Sequence, residues 1–364
     1  MNLDFSSDNA SGAATEVLLA LGDANAGTAH SYGDDDWTKK LEAAFAELFE
    51  REVTVLPVFT GTAANSLALA SVTPPWGAIL CHADSHINTD ECGAPEQFSG
   101  GAKLMPVQGA GAKITPATLD DALNTIINRG VHSVQPAALS LTQASEFGTV
   151  YTLKELAALG AMARRRSLRL HVDGARFANA VASLDCTPAE ATWKVGVDLL
   201  SFGGTKNGAL GAEAVICFDK SLARELEFRR KRAGQLASKM RFVSAQLLAL
   251  LSNGLWLKLA RKSNGHAKKL SDGLTALGFP PAFPTDANEV FTFLPEKLVE
   301  SLHKAGAHFY PWTGVPENGR LLCRFVTSFA TRDEDVDGLI ALVRRDPTGT
   351  YAAGAETAPA AGPR

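Results

Sequence analysis

The chain has 364 residues, of which 46% are apolar and 20% are charged. This composition is that of an ordinary globular protein, and at roughly 150 residues per domain the length predicts about two domains. The 35 basic and 39 acidic residues give a net charge of only -4, so the charge balance does not favour nucleic acid as a partner.

The start of the chain, the apolar stretches and the cysteines favour a cytoplasmic protein. The first residues, MNLDFSSDNASG, contain two Asp and no basic residue, which is not typical of a secretory signal. The most apolar stretches, 53–59 and 243–251, are shorter than the roughly 20 residues that cross a bilayer, so we expect no membrane partner. An odd number of cysteines without a C-x-x-C pair predicts buried thiols rather than disulfides or a metal site. They are Cys81, Cys92, Cys186, Cys217 and Cys323.

Short apolar runs alternate with helical patterns through the first two thirds of the chain. We predict strands at 53–59, 78–81, 103–107, 137–141, 168–172, 197–202 and 214–218. Segments 36–49 and 153–166 place their apolar residues on one helical stripe. This alternation is typical of an α/β layered domain with a mostly parallel sheet.

The pattern changes after residue 218. Residues 220–251 form one long helical stretch without Pro, and Asn253-Gly254 is a helix stop that predicts a domain boundary. In the α+β unit beyond it, we predict helices at 267–277 and 296–305 and strands at 290–293 and 321–325. The chain is thereby divided into an N-terminal segment (1–20), a large domain (21–253), a small domain (254–346) and a flexible tail rich in Ala, Pro and Gly (347–364).

Two functional groups follow neighbouring predicted strands. The run LRLHVD ends in Asp173, and the run VDLLSF leads through Gly203-Gly204-Thr205 to Lys206. Because parallel strands present their carboxyl ends at one edge, we expect Asp173 and Lys206 to emerge together. Pyridoxal phosphate needs such a pair, an amine for its aldehyde and an anion for its pyridine nitrogen. Taken singly, Asp173 could be a helix cap and Lys206 an exposed loop residue.

Two further turns have suitable chemistry for the same ligand. The turn TGTAAN at 60–65 offers a glycine and helix N-terminal amides to a phosphate, without the G-x-G-x-x-G spacing of a dinucleotide-binding oxidoreductase. In DSHINTDE at 84–91, His86 lies in a polar turn where an imidazole could stack on a pyridine ring and exchange protons. A lone histidine such as nearby His82 is more often structural.

The runs HVDGARFANA, SFGGTKNGALGAE, GTAAN, DSHINTDE and FSSDNASG together resemble the threonine aldolase family of fold-type I pyridoxal phosphate enzymes, over about residues 3–343. The run RRKRAGQLASKMRF resembles the phenylserine-type branch. The resemblance implies a three-layer αβα large domain with a mostly parallel seven-stranded sheet and a small α+β C-terminal domain. It implies a lyase that reversibly cleaves threonine, allo-threonine or phenylserine-type amino acids to glycine and an aldehyde. The alternative is a β-eliminating lyase on the same scaffold.

Carried over position by position, the resemblance also implies roles for individual residues. For the cofactor, they are Lys206 as the covalent attachment, Asp173 at the pyridine nitrogen, Arg176 at the phenolic oxygen, Gly61 and Thr62 at the phosphate, and His86 over the ring. For the substrate carboxylate, they are Ser7 and Arg324, whose guanidinium fork suits a bidentate contact. Tyr32 and Lys231 match positions that approach the site from a neighbouring subunit, which predicts a homodimer or homotetramer with active sites at the interface.

One position departs from the family pattern. Many members carry a histidine after the strand that is predicted here at 137–141, whereas this chain continues with TQASE, residues 142–146. Ser145 or Glu146 stands at that place. The second proton carrier of the family is therefore missing or replaced, and the base for the β-hydroxyl is left open.

Overall fold

The computed structural model describes residues 2–126, 129–346 and 348 of the chain. Seven strands of these residues form one sheet: β1 (Thr54–Val58), β2 (Gly77–His82), β3 (Lys103–Val107), β4 (Gln135–Thr142), β5 (Arg169–Gly174), β6 (Leu199–Gly203) and β7 (Glu213–Cys217). Their order is β1-β7-β6-β5-β4-β2-β3, and only β7 runs antiparallel to its neighbours. The predicted mostly parallel seven-stranded sheet is confirmed.

Helices cover both faces of this sheet. The α-helices of the described residues are α1 (Thr15–Ala24), α2 (Asp36–Leu48), α3 (Gly61–Val72), α4 (His86–Thr89), α5 (Ala94–Ser99), α6 (Pro116–Thr125), α7 (Leu153–Arg165), α8 (Phe177–Leu184), α9 (Ala223–Arg232), α10 (Arg241–Leu251), α11 (Leu255–Ala276), α12 (Glu296–Lys304) and α13 (Asp333–Arg345). Successive strand residues point to opposite faces, so Leu199 packs in the cluster with α3 and Leu200 in the larger core on the other side. The result is three layers.

The single helix predicted over 220–251 is wrong. The chain forms α9 and α10 instead, with a non-helical link between Ala233 and Met240. Gly234 has a φ of +73°, and its N–H donates to the Lys231 carbonyl while that of Gln235 donates to the Arg230 carbonyl. These two bonds form the usual glycine-dependent end of a helix, a signal that the absence of Pro concealed.

The predicted stop at Asn253-Gly254 is a sharp bend, with φ values of 53° and 65°. Helix α11 begins directly after it, twelve residues before the predicted helix at 267, because Trp256, Ala260 and Ser263 continue the buried stripe toward its N-terminus. The helix packs against α8 of the sheet layers and also against α13. The domain limits at 253 and 254 stay a prediction.

Within the part of the chain that the structure describes, one helical stretch is long and apolar enough to cross a membrane by length and composition alone: Arg241–Ala276, 36 residues long. The expectation of no span considered 243–251 and missed the continuation of the helical chain through the bend. Val243, Leu247, Leu250 and Trp256 of this stretch pack in the main core, as in the core helix of a soluble protein, which passes the same test. The stretch is therefore weak evidence for a membrane span.

A second, smaller sheet has the order β8-β10-β9, with β8 at Glu289–Pro295, β9 at Tyr310–Pro311 and β10 at Arg320–Val326. The predicted small α+β unit is confirmed, although β9 was not predicted. The N-terminal segment belongs to this unit, since Phe5 is fully buried in its core and Phe5 N–H donates to the His308 carbonyl. The predicted flexible tail, 347–364, lies outside the described residues except for residue 348.

The cysteines do not all conform to the prediction of buried thiols. Cys81, Cys217 and Cys323 are buried, Cys186 is half-buried, and Cys92 is exposed. Cys92 lies in the turn between α4 and α5 with a φ of 52°.

Candidate active site

The carboxyl ends of β5 and β6 lie side by side, with Asp173 in register with Ser201. Asp173 is the buried penultimate residue of β5, and Lys206 lies in the short turn after β6. Gly203 permits this arrangement, because a Cβ there would lie 2.4 Å from the Ala175 carbonyl oxygen. The structure thus places both predicted groups at one edge of the sheet.

Buried Glu213 holds the turn that presents Lys206. Its carboxylate accepts hydrogen bonds from Gly204 N–H at 2.7 Å and Thr205 N–H at 3.4 Å. Burial raises the pKa of Glu213 to about 7. No hydrogen bond or ion pair among the described residues involves the Lys206 ammonium, which leaves the amine available to a ligand.

Asp173 is fixed in position by an amide. Asn65 Nδ2, on α3, donates at 2.8 Å to Asp173 Oδ2 and also at 2.8 Å to Glu91 Oε1, while Ala175 N–H donates to Asp173 Oδ1 at 3.0 Å. The same Glu91 oxygen accepts from His86 Nδ1 at 2.8 Å. A continuous hydrogen-bonded chain therefore runs from Asp173 through Asn65 and Glu91 to His86.

His86 begins α4 with its side chain 43% exposed. The hydrogen bond to Glu91 raises the pKa of His86 and outweighs the opposite effect of burial. Because Nδ1 is bound to Glu91, Nε2 is the ring nitrogen that is free to face a ligand. The geometry thus fixes both the orientation of the ring and its reactive atom.

The turn before α3 has the features of an anion site. Thr60 caps this helix by accepting from Ala63 N–H at 3.1 Å, and a Cβ at Gly61 would meet no atom within 4 Å. Gly61 and Thr62 are half-buried at the first helical turn. Their backbone therefore leaves room for a phosphate at a helix N-terminus, where the unpaired N–H groups attract negative charge.

Of the two residues at the family's missing histidine, only Glu146 joins this cluster. Glu146 Oε1 accepts from His86 N–H at 2.9 Å and from the Thr142 hydroxyl at 2.8 Å, and burial raises the pKa of Glu146 to about 7. Its Oε2 is buried without a hydrogen-bond partner. Ser145 instead donates to the Gly111 carbonyl at 3.0 Å.

Most of the Arg176 guanidinium is already paired with carboxylates of the protein. Its Nε and Nη2 donate to the two Asp8 carboxylate oxygens at 2.8 and 3.1 Å, and Nη2 also lies 3.3 Å from Glu289 Oε1. Only Nη1 is left for a ligand. The predicted contact with the phenolic oxygen of a cofactor is thereby restricted to one nitrogen and stays a prediction.

Arg324 lies in the middle of β10 and approaches the N-terminal segment. Its Nη2 donates to the Ser6 carbonyl at 3.3 Å, and its guanidinium stacks 4.9 Å from the centre of the Trp312 ring. Ser7, beside Ser6, accepts from Asn9 N–H at 3.1 Å through its hydroxyl oxygen. The structure thus brings the Ser6–Ser7 backbone to Arg324 and uses the Ser7 hydroxyl as a local cap.

Tyr32 and Lys231 contact each other at the surface. The Lys231 ammonium lies 4.4 Å from the centre of the Tyr32 ring, and Tyr32 is 52% exposed. Within the described part of the chain, neither side chain has a hydrogen bond, ion pair or ring contact with Asp173, His86 or Lys206. This fits residues that would serve another subunit, which stays a prediction.

Comparison with known protein families identifies the family of this chain. Residues 4–297 match the model of a family described as beta-eliminating lyase. The chain belongs to the beta-eliminating lyase family.

Relatives within the family are similar over nearly the whole chain. Low specificity L-threonine aldolase of Pseudomonas sp. (strain NCIMB 10558) is 43% identical over 341 residues, 93% of this chain and 96% of the relative. The enzyme of that name from Pseudomonas aeruginosa matches equally, at 43% over the same shares. The solved structure of Leishmania major threonine aldolase has a TM-score of 0.89 and 28% identity, covering 94% of this chain and 98% of that one.

For a beta-eliminating lyase, sequence reasoning missed part of the supporting structure. Asn65 and Glu91 lie inside the quoted motifs GTAAN and DSHINTDE but were given no role, although an amide and an acid beside predicted ligands were a usable signal. Asp8 lies likewise inside the quoted motif FSSDNASG, next to Ser7, whereas Glu289 lies in no quoted motif. Two other histidines are structural: His82 faces the Gly109 carbonyl, and His171 is buried between Ser140 and Ser201, where burial lowers its pKa to about 4.

The residues present fit pyridoxal phosphate. A buried carboxylate fixed by two donors matches the pyridine nitrogen, an unpaired lysine in the turn after the next strand matches the aldehyde, and an open helix N-terminus matches the phosphate. In the part of the chain that the structure describes, no group of three His, Cys, Asp or Glu side chains could hold a metal ion.

Proposed function

We propose that this protein is a pyridoxal phosphate-dependent aldolase that reversibly cleaves β-hydroxy-α-amino acids to glycine and an aldehyde. The observation that carries the proposal is the chain Asp173–Asn65–Glu91–His86 beside the unpaired Lys206. Two Pseudomonas relatives at 43% identity, both named low specificity L-threonine aldolase, support the same reaction. The substrate class includes threonine, allo-threonine and phenylserine.

Five side-chain or backbone positions would hold the cofactor. Lys206 would bind its aldehyde carbon, Asp173 would accept from its pyridine nitrogen, Gly61 and Thr62 would donate to its phosphate, and His86 would cover the ring. When bound, pyridoxal phosphate supplies an electron sink for the pair released at the substrate Cα. Asn65 keeps Asp173 from rotating away from this task, because it ties the carboxylate to Glu91.

Arg324 would orient the substrate. Its guanidinium is partly exposed, is held by the Ser6 carbonyl and Trp312, and offers a fork that matches a carboxylate. With the carboxylate held at Arg324 and beside Ser7, the substrate has little freedom to rotate about its Cα. The fixed orientation selects the Cα–Cβ bond for cleavage.

His86 and its neighbours would manage the proton of the β-hydroxyl. Nε2 would face the ligand, and the raised pKa of His86 keeps the imidazole protonated to a higher pH than in an ordinary histidine, which makes it a poorer proton acceptor. We therefore assign to His86 the covering of the ring and the ordering of a water through which the hydroxyl proton passes to solvent. Glu146 positions His86 by accepting its backbone N–H.

The active unit would be a homodimer or homotetramer. Tyr32 and Lys231 lie together on the surface without a partner in the Asp173 cluster, which supports their use by a neighbouring subunit's site. A cytoplasmic location is part of the proposal; it is compatible with thiols that are all free.

Product analysis tests the reaction. Purified holoenzyme is incubated separately with L-threonine, L-allo-threonine and phenylserine, and glycine, aldehyde, 2-oxo acid and ammonia are measured. Glycine and aldehyde in equal amounts support the aldolase. A 2-oxo acid with ammonia would instead indicate the β-eliminating reaction, the alternative that the family description raises. The Lys206→Ala variant serves as the control for cleavage without the attached cofactor.

A further inference from the structure

Glu289 is a buried carboxylate that the proposed reaction does not use. It begins β8, its side chain is 1% exposed, and neither of its carboxylate oxygens has a hydrogen-bond partner among the described residues. Its Oε1 lies 3.3 Å from Arg176 Nη2 and 3.9 Å from Arg324 Nη1. A carboxylate in this situation is held by charge alone, because no donor is aligned with it.

The charges around Glu289 are nearly balanced in the absence of substrate. Asp8 binds Arg176 in a two-bond pair, so the charge of Arg176 is already matched. Arg324 has no other carboxylate within ion-pair distance in the described residues, although Asp8 also attracts it from farther away. Two further charged groups act on Glu289: Asp8 raises its pKa and Lys206 lowers it. Glu146 acts on Arg176.

Burial raises the pKa of Glu289, and Arg176 and Arg324 oppose this effect. Glu289 is therefore a weaker acid than an exposed glutamate, and its charge depends on the two arginines. A ligand that neutralises Arg324 removes part of that support. Two carboxylates that share Arg324 at short range repel each other, so keeping both of them charged costs free energy. Glu289, the weaker acid, therefore takes up a proton.

We propose that Glu289 is the resting partner of Arg324 and that the carboxylate of the amino-acid substrate replaces it, with uptake of one proton by Glu289. The proton comes from solvent and forms the O–H bond of a neutral carboxyl group; no other bond changes. This inference rests on the proposed function in one respect, the binding of the substrate carboxylate at Arg324. Glu289 is thus a specificity residue that makes affinity for carboxylate ligands depend on pH.

Binding to the holoenzyme separates this effect from turnover. Glycine and aminoethanol share an amine, but only glycine has a carboxylate. Each is titrated against the cofactor absorbance from about pH 6 to about pH 9. In the wild-type protein, the affinity for glycine relative to aminoethanol should fall about tenfold per pH unit above the pKa of Glu289. In Glu289→Gln, the ratio should be independent of pH and at least about tenfold higher at the alkaline end.

Calorimetry gives a second measurement, which counts the protons taken up on binding. Glycine binding in two buffers of different ionisation enthalpy should show uptake of about one proton more than aminoethanol binding at a pH above the pKa of Glu289. The difference should vanish in Glu289→Gln. Equal proton uptake for both ligands in the wild-type protein, or the same pH dependence in Glu289→Gln, would overturn the proposal.

A further pair of variants distinguishes this failure from failure of the proposed function. Arg324→Ala should weaken glycine and leave aminoethanol unchanged, whereas Arg320→Ala, an exposed arginine on the same strand, should change neither. If Arg324→Ala does not change the affinity for glycine, the assignment of Arg324 to the substrate carboxylate is wrong. Glycine binding that depends on Arg324 but not on Glu289 would leave the aldolase proposal standing and reject the role of Glu289.

Discussion

At the scale of single residues, Glu91 controls the protonation of His86. The hydrogen bond from His86 Nδ1 to Glu91 raises the pKa of the imidazole, so the ring stays charged to a higher pH than an ordinary histidine. In Glu91→Gln, the pKa of His86 should fall toward the usual value of about 6.5 or below, because burial then acts without the carboxylate.

Histidine NMR of the resting enzyme would measure that pKa directly. His171 provides an internal control, because burial between two serines lowers its pKa to about 4 and Glu91 is not among its partners. An unchanged His86 pKa in Glu91→Gln would contradict the assigned hydrogen bond.

The role of His86 itself can be resolved by two substitutions. If His86 covers the cofactor and orders a water, His86→Phe should keep cleavage within about tenfold of wild type, since a flat ring is retained, while His86→Asn should lose more. If the imidazole itself carried the proton, both variants should lose about 10²–10⁴-fold. The cleavage rate at saturating substrate is the measurement, with cofactor absorbance as the check on loading.

Lys206 should be the covalent attachment of the cofactor. Reduction of the holoenzyme with borohydride followed by peptide mapping should place the label on Lys206, and Lys206→Ala should lose turnover but not stability, because its ammonium has no partner in the described structure. Label on another lysine would displace Lys206 from this role. An equal thermal midpoint of the two proteins without cofactor is the structural control.

At the scale of secondary-structure elements, two helix glycines should respond in opposite directions to the same substitution. A Cβ on Gly160 in α7 would lie 1.9 Å from the Val195 carbonyl oxygen, whereas a Cβ on Gly265 in α11 would meet nothing within 4 Å. Gly265→Ala should stabilise the protein by about 0.5–1 kcal/mol through helix propensity. Gly160→Ala should destabilise it by about 1–3 kcal/mol, since backbone must move.

Thermal unfolding followed by far-ultraviolet circular dichroism would compare the two variants with wild type. Stabilisation by both substitutions would show that α7 is free to move away from the Val195 carbonyl. Such a result would contradict the close packing of this helix against the chain before β6.

The spacing of apolar residues predicted which segments are strands and helices, but it did not predict where the helices end. Each strand of the large sheet appeared as an apolar run because helices bury both of its faces. The break at Gly234 was missed, since glycine is tolerated within helices and only the bonds to the Lys231 and Arg230 carbonyls show that it ends one. The full length of α11 was missed because its first half packs on the sheet layers and its second half on the small unit.

At the scale of the whole molecule, shared active sites predict complementation between inactive subunits. If Lys231 serves the neighbouring site, co-expressed Lys206→Ala and Lys231→Ala chains should form mixed dimers with one intact site. Random pairing would then give about a quarter of wild-type activity. The matched control pairs Lys206→Ala with Asp173→Ala chains. Because both residues serve the site of their own chain, no mixed dimer has an intact site, and no activity should return.

Cleavage activity and sizing of the mixed protein would be measured together. Cleavage activity in the control pair would mean that its recovery does not depend on a residue shared between subunits. If the test pair recovers no activity, Lys231 does not serve the neighbouring site. A monomer on sizing would contradict the shared site altogether.

The sequence by itself determined the layers of the fold and the edge of the sheet at which the site lies. Strand and helix periods are local, and the positions of Asp173 and Lys206 follow directly from the ends of two such strands. Even the replaced histidine at 142–146 was visible without coordinates. These features depend on residues that are close in the chain.

Only the tertiary structure decided how the charged groups are paired. Asp8, Arg176, Glu289 and Arg324 come from the N-terminal segment, the turn after β5 and two strands of the small sheet, and they meet in one buried cluster. Asn65 likewise bonds both Glu91 and Asp173, and Asp173 lies 108 residues further along the chain than Asn65. A contact between distant segments has no period in the sequence, because it depends on how completed elements pack, and so the partners of these side chains became known only from the fold.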